Sequence, residues 1–437
     1  MLDDSVQYHE LQNLEDDSRP APAGGPRLNG REVWKFRFIQ GFHGLNLGLL
    51  YVALFPFLEL LGLDRRSIGA LMSVSLLANA SFCYFIPQWH DKTTHKALIL
   101  GSHTVTVLCG AVLSVALHRW AVLPAIAGCM VSWGHELGFL RILEGDILST
   151  ITSKNKQFEE RGLSLILRNS GMFLGMLASA ILLYSVSEKQ PKKPSPFAFA
   201  FKTFTVLELV ILLLVCLLDS KTYAERKAFT QEPEDDEEVS LENGDSRYLI
   251  CLNWAFFLQA IGEGMVLIPW KVDYIYVITK DSFDSCFLAA MLLLCDQISP
   301  LLSVVLTYLM KGPIKSAIAM EVVNAILYIG VGSSQPDTTK RLIAISLLTT
   351  SRLYFVPAMV VRLLSTKNCT KELLGRISVY RAFGLCLGPL VAGVLTYHDL
   401  YGYCYYASAM LLLLCCAVLV TCLPLDKNLR SPLKKII

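Results

Sequence analysis

The chain has 437 residues, 53% of them hydrophobic and 17% charged, with a formal net charge of +2 at pH 7. Soluble domains carry about 25% charged residues, and the mean hydropathy here is +0.47, so the composition excludes an ordinary soluble protein. The near-neutral balance likewise gives no basic face for nucleic acid.

Residues 1–33 are polar, acidic and rich in Pro and Gly, and they lack the apolar stretch of a signal peptide; they read as a disordered tail. Within the tail, Tyr8-His9-Glu10-Leu11 matches the tyrosine-x-x-bulky-apolar pattern that endocytic and lysosomal sorting adaptors read. Twelve apolar blocks follow, at 34–62, 66–88, 97–118, 121–149, 162–186, 196–218, 249–278, 285–310, 314–333, 341–364, 374–397 and 402–424. Blocks of about 20 residues span about 30 Å of hydrocarbon as helices. Strand edges and loops facing lipid would leave backbone groups unpaired, so the expected class is an all-α integral membrane protein. With both termini cytoplasmic, the inner loops hold fourteen Lys and Arg against nine outside, which sets the orientation. The plasma membrane and the endolysosomal membrane both suit the tail motif.

An acidic, polar linker at 219–248 separates two halves, 34–218 and 249–424, of six spans each, and a basic tail closes the chain at 425–437. The fifth span carries Arg168, Gly171, Gly175 and Tyr184; the eleventh repeats the spacing with Arg381, Gly384, Gly388 and Tyr397. "FIQGFHG" in the first span is echoed by "FLQAIGEG" in the seventh, and "ILST" at the end of the fourth by "LLST" at the end of the tenth. These echoes describe two halves related as parallel repeats. The glycines, one helical turn apart on one face, allow close helix approach and read as a seam on which the halves rock. The two arginines read as cytoplasmic gate residues or as topology anchors.

Twelve spans, two parallel halves and an interior linker resemble the major facilitator superfamily of secondary transporters. Its loop motif after the second helix is present in part as "PQWHDKTTHK": Asp91, Lys92 and Lys96 match, while Pro87 and Thr94 replace glycines. The resemblance implies a central cavity lined by spans one, four, seven and ten, lipid-facing spans three, six, nine and twelve, and transport by alternating access. The ionisable residues follow that division. The lining spans hold His43, His135, Glu136, Arg141, Glu144, Asp146, Glu263, Lys271, Asp273, Arg352 and Arg362; the outer spans hold His103, Lys202, Glu208 and Glu321.

Intramembrane charge is expensive, about 2.5–3.5 kcal/mol at the bilayer centre on insertion scales, and marks function. Mid-span residues Arg352, Glu136, Glu263, His43, Asn46 and Gln259 therefore form the expected substrate site, with Asp296 a further contact. Glu136 or Glu263 would exchange the coupling proton. Glu136 and Arg352 sit at equivalent positions, eleven residues before "ILST" and "LLST", and read either as a ligand site or as an ion pair latching the halves. Asp91, Lys92, Arg141, Arg168 and Arg381 form the expected gates. Lys271 and Asp273, toward the outer end of the seventh span, read as a gate or a hydrated rim.

Helix five lacks the proline of the family's antiporter signature, with Met176 in its place, which favours a symporter or facilitator. No Walker loop supplies ATP chemistry, and thirteen cysteines occur with none in C-x-x-C, so neither an enzyme nor a metal or cofactor site is expected. The expected function is transport of a small polar solute, foremost an organic anion or zwitterion taken up with a proton. Facilitated passage of a neutral solute such as a sugar is the alternative, and a transporter-like receptor or scaffold is a third reading.

Overall fold

The computed structural model of the chain describes residues 30–89, 95–115, 119–132, 157–187, 195–218, 243–279, 309, 313–348 and 370–422. The helices within them are α1 Gly30–Leu60, α2 Arg65–Trp89, α3 His95–Val115, α4 Arg119–Ser132, α5 Gln157–Ser187, α6 Ser195–Cys216, α7 Asn243–Met265, α8 Ile268–Thr279, α9 Pro313–Ser333, α10 Pro336–Leu348, α11 Thr370–Tyr397 and α12 Tyr401–Cys422. Every expected span except the eighth has a described helix, and each begins a few residues before its apolar block. Polar first turns such as Gln157-Phe-Glu-Glu and Pro336-Asp-Thr-Thr are helical although they are not hydrocarbon-loving.

The seventh span is two helices. Pro269 has no N–H to give to the preceding turn, and the break at Val266-Leu267 falls directly after Glu263 and Gly264. Discontinuous helices of this kind line solute sites in transporters.

Packing repeats between the halves. α1 lies along α5 and against α6, as α7 lies along α11 and against α12; α3 pairs with α6 and α4, as α9 pairs with α12 and α10. The equivalence of helices six spans apart makes the halves parallel repeats. They meet where α2 lies along α11, and α8 adds a smaller contact with α1. A continuous core runs from Leu54, Phe57 and Phe201 in the first half to Trp270 and Tyr405 in the second.

Two turns close one end of the bundle, hereafter the turn end. After α1, Gly62 takes φ +77°, while Gly62 N–H donates to Glu59 C=O and Leu63 N–H to Leu58 C=O. That is a Schellman stop, for which glycine is suited. α11 ends in the same geometry with Asp399 at φ +59°. The opposite, tail end is fastened by lysines: Lys35 of α1 donates to Leu217 C=O at 2.7 Å and Lys96 of α3 to Cys216 C=O at 2.9 Å, capping the last carbonyls of α6.

Candidate functional site

Near the middle of the helices, each half holds a buried polar cluster. In the second half, Arg381 of α11 donates through Nη2 to Glu263 Oε2 at 2.6 Å. Gln259, one turn before Glu263 on α7, donates to Glu263 Oε1 at 2.9 Å and to Glu321 Oε1 of α9 at 3.2 Å. Arg381 is 5% exposed and Glu263 27%, so Glu263 is the member of the ion pair open to its surroundings.

The first half answers with Asn46 of α1, which donates to Glu208 Oε2 of α6 at 2.6 Å, and His103 of α3, whose Nδ1 lies 2.6 Å from Glu208 Oε1. The His43 ring stands edge-on to that of His103 with centroids 6.0 Å apart, and Arg168 of α5 is near enough to His43 to act on it electrostatically. His103 and Glu321 are each the ninth residue of their helix, so the clusters occupy matching positions in the repeat.

A third constellation crosses between the halves at the turn end. Arg65, at the start of α2, donates through Nε to Asp273 Oδ2 of α8 at 3.2 Å and lies 3.3 Å from Glu59 of α1. Tyr401 at the start of α12 donates its hydroxyl to the same Asp273 oxygen at 3.0 Å. Phe55 and Trp270 meet edge-to-face at 4.8 Å, and the Arg66 guanidinium stacks over Tyr397 at 4.3 Å. Gly69 and Gly393 bring α2 and α11 so close that a Cβ on either would collide with the other's backbone.

Several expectations are corrected by this geometry. The glycines Gly171 and Gly175 press on the α1 backbone at Gly41 and Leu45, and Gly384 and Gly388 on the α7 backbone at Phe257 and Gly264. These seams therefore bind helices within each half; among the described residues, the glycine contact between the halves is Gly69 against Gly393. Arg168 and Arg381 are buried at mid-helix among polar partners rather than reaching toward a helix end. His103, Glu208 and Glu321, assigned to lipid-facing spans, are each buried and turned inward to α1 or α7. Asn46, expected in the substrate site, donates to Glu208 of α6. Asp273 is buried in the ion pair described above and is no hydrated rim, and Lys271 is buried beside Tyr328. Glu136, Arg141, Asp296, Arg352, Asp91 and Lys92 lie outside the described residues.

Sequence reading missed Arg65 and Tyr401, which look like ordinary loop-flanking residues. For His103, Glu208 and Glu321 the signal was present as sparse ionisable residues deep in largely apolar spans.

Six of the described helices are long and apolar enough to cross a membrane. The nucleoside transporter NupG superposes with a TM-score of 0.65 at 13% identity, over 90% of this chain and 98% of its own. The chain has the major facilitator fold. A peptide transporter, POT, in complex with sulfate gives 0.66 at 12% identity over 94% and 98% of the two chains. A bacterial homologue of the human lysosomal transporter Spinster gives 0.65 at 12%, over 91% and 97%. Residues 70–266 match the family model described as ion channel regulatory protein UNC-93. An uncharacterised membrane protein of Saccharomyces cerevisiae (strain ATCC 204508 / S288c), YJR124C, is 20% identical over 403 residues, covering 84% of this chain and 89% of the yeast protein.

Proposed function

We propose that this multi-pass membrane protein is a secondary transporter that moves a small polar solute by alternating access. The observation that carries the reading is the Arg381–Glu263 ion pair, held near the middle of the seventh span beside the break between α7 and α8, with Glu263 partly exposed. Charge at that depth is costly and is retained where a solute or ion must be met. Similarly folded proteins include transporters of nucleosides and of peptides, which supports the same reading. The solute class it favours is an organic anion or zwitterion. Arg352 would hold the anion, Asp296 would add a contact, and Glu136 or Glu263 would carry a proton. Both termini would face the cytoplasm, with Tyr8–Leu11 available to a sorting adaptor.

Uptake of a mixed metabolite panel into proteoliposomes, with and without an inward proton gradient, tests this in wild type, Arg352→Ala and Glu263→Gln. Gradient-stimulated accumulation of an acidic or zwitterionic solute, lost in Arg352→Ala, is the expected result. Gradient-independent equilibration of a neutral solute that survives both substitutions would replace it with a facilitator. The match of residues 70–266 to an ion channel regulatory family supports a second reading, a transporter-like chain that binds a channel. That reading is favoured if no solute moves and the reconstituted protein alters the current of a co-purifying channel.

A further inference from the structure

We infer that His43, His103 and Glu208 form a proton-binding site inside the first half, distinct from the Glu263 cluster of the second. The site itself stands on geometry; its coupling to solute movement rests on the transporter reading.

Glu208 spends both oxygens, one on Asn46 Nδ2 and one on His103 Nδ1, each at 2.6 Å. Where Glu208 is ionised it accepts only, and His103 then presents Nδ1–H to it and keeps its lone pair on Nε2. That Nε2 has no hydrogen-bond partner among the described residues, nor has either ring nitrogen of His43. His43 is 3% exposed and His103 1%, and unpartnered polar atoms at such depth are rare in folded proteins. Two imidazoles with open nitrogens, edge-on at 6.0 Å and backed by one carboxylate, form a group that takes up one proton and shares its charge with Glu208.

The charged and titratable groups facing His43 are Arg168 from α5 and His103 from α3, the latter tied to Glu208 of α6. A proton arriving from water on His43 or His103 turns imidazole into imidazolium and adds positive charge beside Arg168. At the matching place the second half has Glu321, hydrogen-bonded to Gln259, and pairs Glu263 with a guanidinium. The repeat has thus kept the position and changed the chemistry, leaving the titrating imidazoles to the first half.

α1 gives the site mechanical reach. It carries His43 and Asn46 near its middle, and Phe55 and Glu59, which touch Trp270 and Arg65, at the turn end. Its backbone is pressed against Gly171 and Gly175 of α5, so α1 and α5 act as one body, and charge placed on His43 beside Arg168 bears on that body as a whole.

The test uses full-length protein in lipid nanodiscs with ¹³C-labelled histidine, comparing wild type with His43→Gln, His103→Gln and Glu208→Gln. Over a pH series the His43 and His103 signals should move together, and the midpoint of each should shift when the other residue or Glu208 is replaced. Signals that stay fixed, or that titrate independently in every variant, overturn the site. If His103→Gln does not fold, the wild-type titration and the His43→Gln spectrum still decide. In proteoliposomes, His103→Gln, or Glu208→Gln should the former not fold, should lose gradient stimulation while retaining solute counterflow; unaltered stimulation overturns the coupling. If wild type moves no solute, the transporter reading fails while the coupled titration still reports the site.

Discussion

Arg65→Ala should open the turn end. Asp273 is 2% exposed and Arg65 23%, and the other described donor to the Asp273 carboxylate is the Tyr401 hydroxyl. Removing one partner of a buried ion pair costs about 3–5 kcal/mol; because Arg65 is partly hydrated, the lower end applies, about 3 kcal/mol. That cost is borne only while the halves are in contact, so it appears as a population shift of about a hundredfold toward separated halves. Asp273→Asn keeps a partner for Tyr401 and leaves Arg65 with Glu59 and water, so it should cost only about 1 kcal/mol. The double variant should recover most of the loss, since no buried charge is then stranded. Spin labels at Leu60 and Leu400, exposed residues flanking the two turns, report the separation by pulsed electron resonance. An Arg65→Ala distance distribution identical to wild type, in a protein that is stably folded, would refute the latch.

Three further outcomes are expected. Asp399 holds a left-handed φ of +59° at the end of α11, so Asp399→Gly should stabilise the fold by about 0.5 kcal/mol once the added chain entropy of glycine is deducted, read as a raised melting temperature. Gly175→Val places branched carbons against the Leu45 carbonyl within one half and should destabilise the fold by about 3 kcal/mol, read by thermal unfolding, whereas Gly69→Ala should chiefly part the halves, read by the same spin labels. Asp64 caps α2 by accepting from Ser67 N–H at 2.8 Å, and hydrogen bonds from the Ser67 side chain and backbone hold its carboxyl below the usual range. Its contribution is therefore complete above the unfolded-state pKa of about 4 and fades as pH falls through the lower folded value; Asp64→Ala should lower the melting temperature at neutral pH, and the gap should narrow in acid.

The spans, their number and the halving of the chain were legible because a lipid-crossing helix satisfies its own backbone, so length and hydropathy suffice to find it. The repeat was legible for a related reason. Arg168 with Gly171 and Gly175, and Arg381 with Gly384 and Gly388, keep a spacing that close helix approach demands in each half. What those glycines pack against was not legible, since a small-residue face is equally suited to a neighbour in the same half or in the other.

The direction of each buried charge was decided by tertiary structure alone. Spans that are apolar nearly all round give no moment to say which way Glu208 or His103 points; only the packing of α3 and α6 around α1 turns them inward. Arg65 and Asp273 stand 208 residues apart, each unremarkable in its own stretch, and they meet because the parallel halves bring the starts of α2 and α12 and the middle of α8 to one end. By itself the sequence determined which stretches must be helical and that they repeat, because those properties follow from local backbone and solvent energetics. Which polar groups share a partner depended on the three-dimensional arrangement, because an ion pair is a property of distance and not of order along the chain.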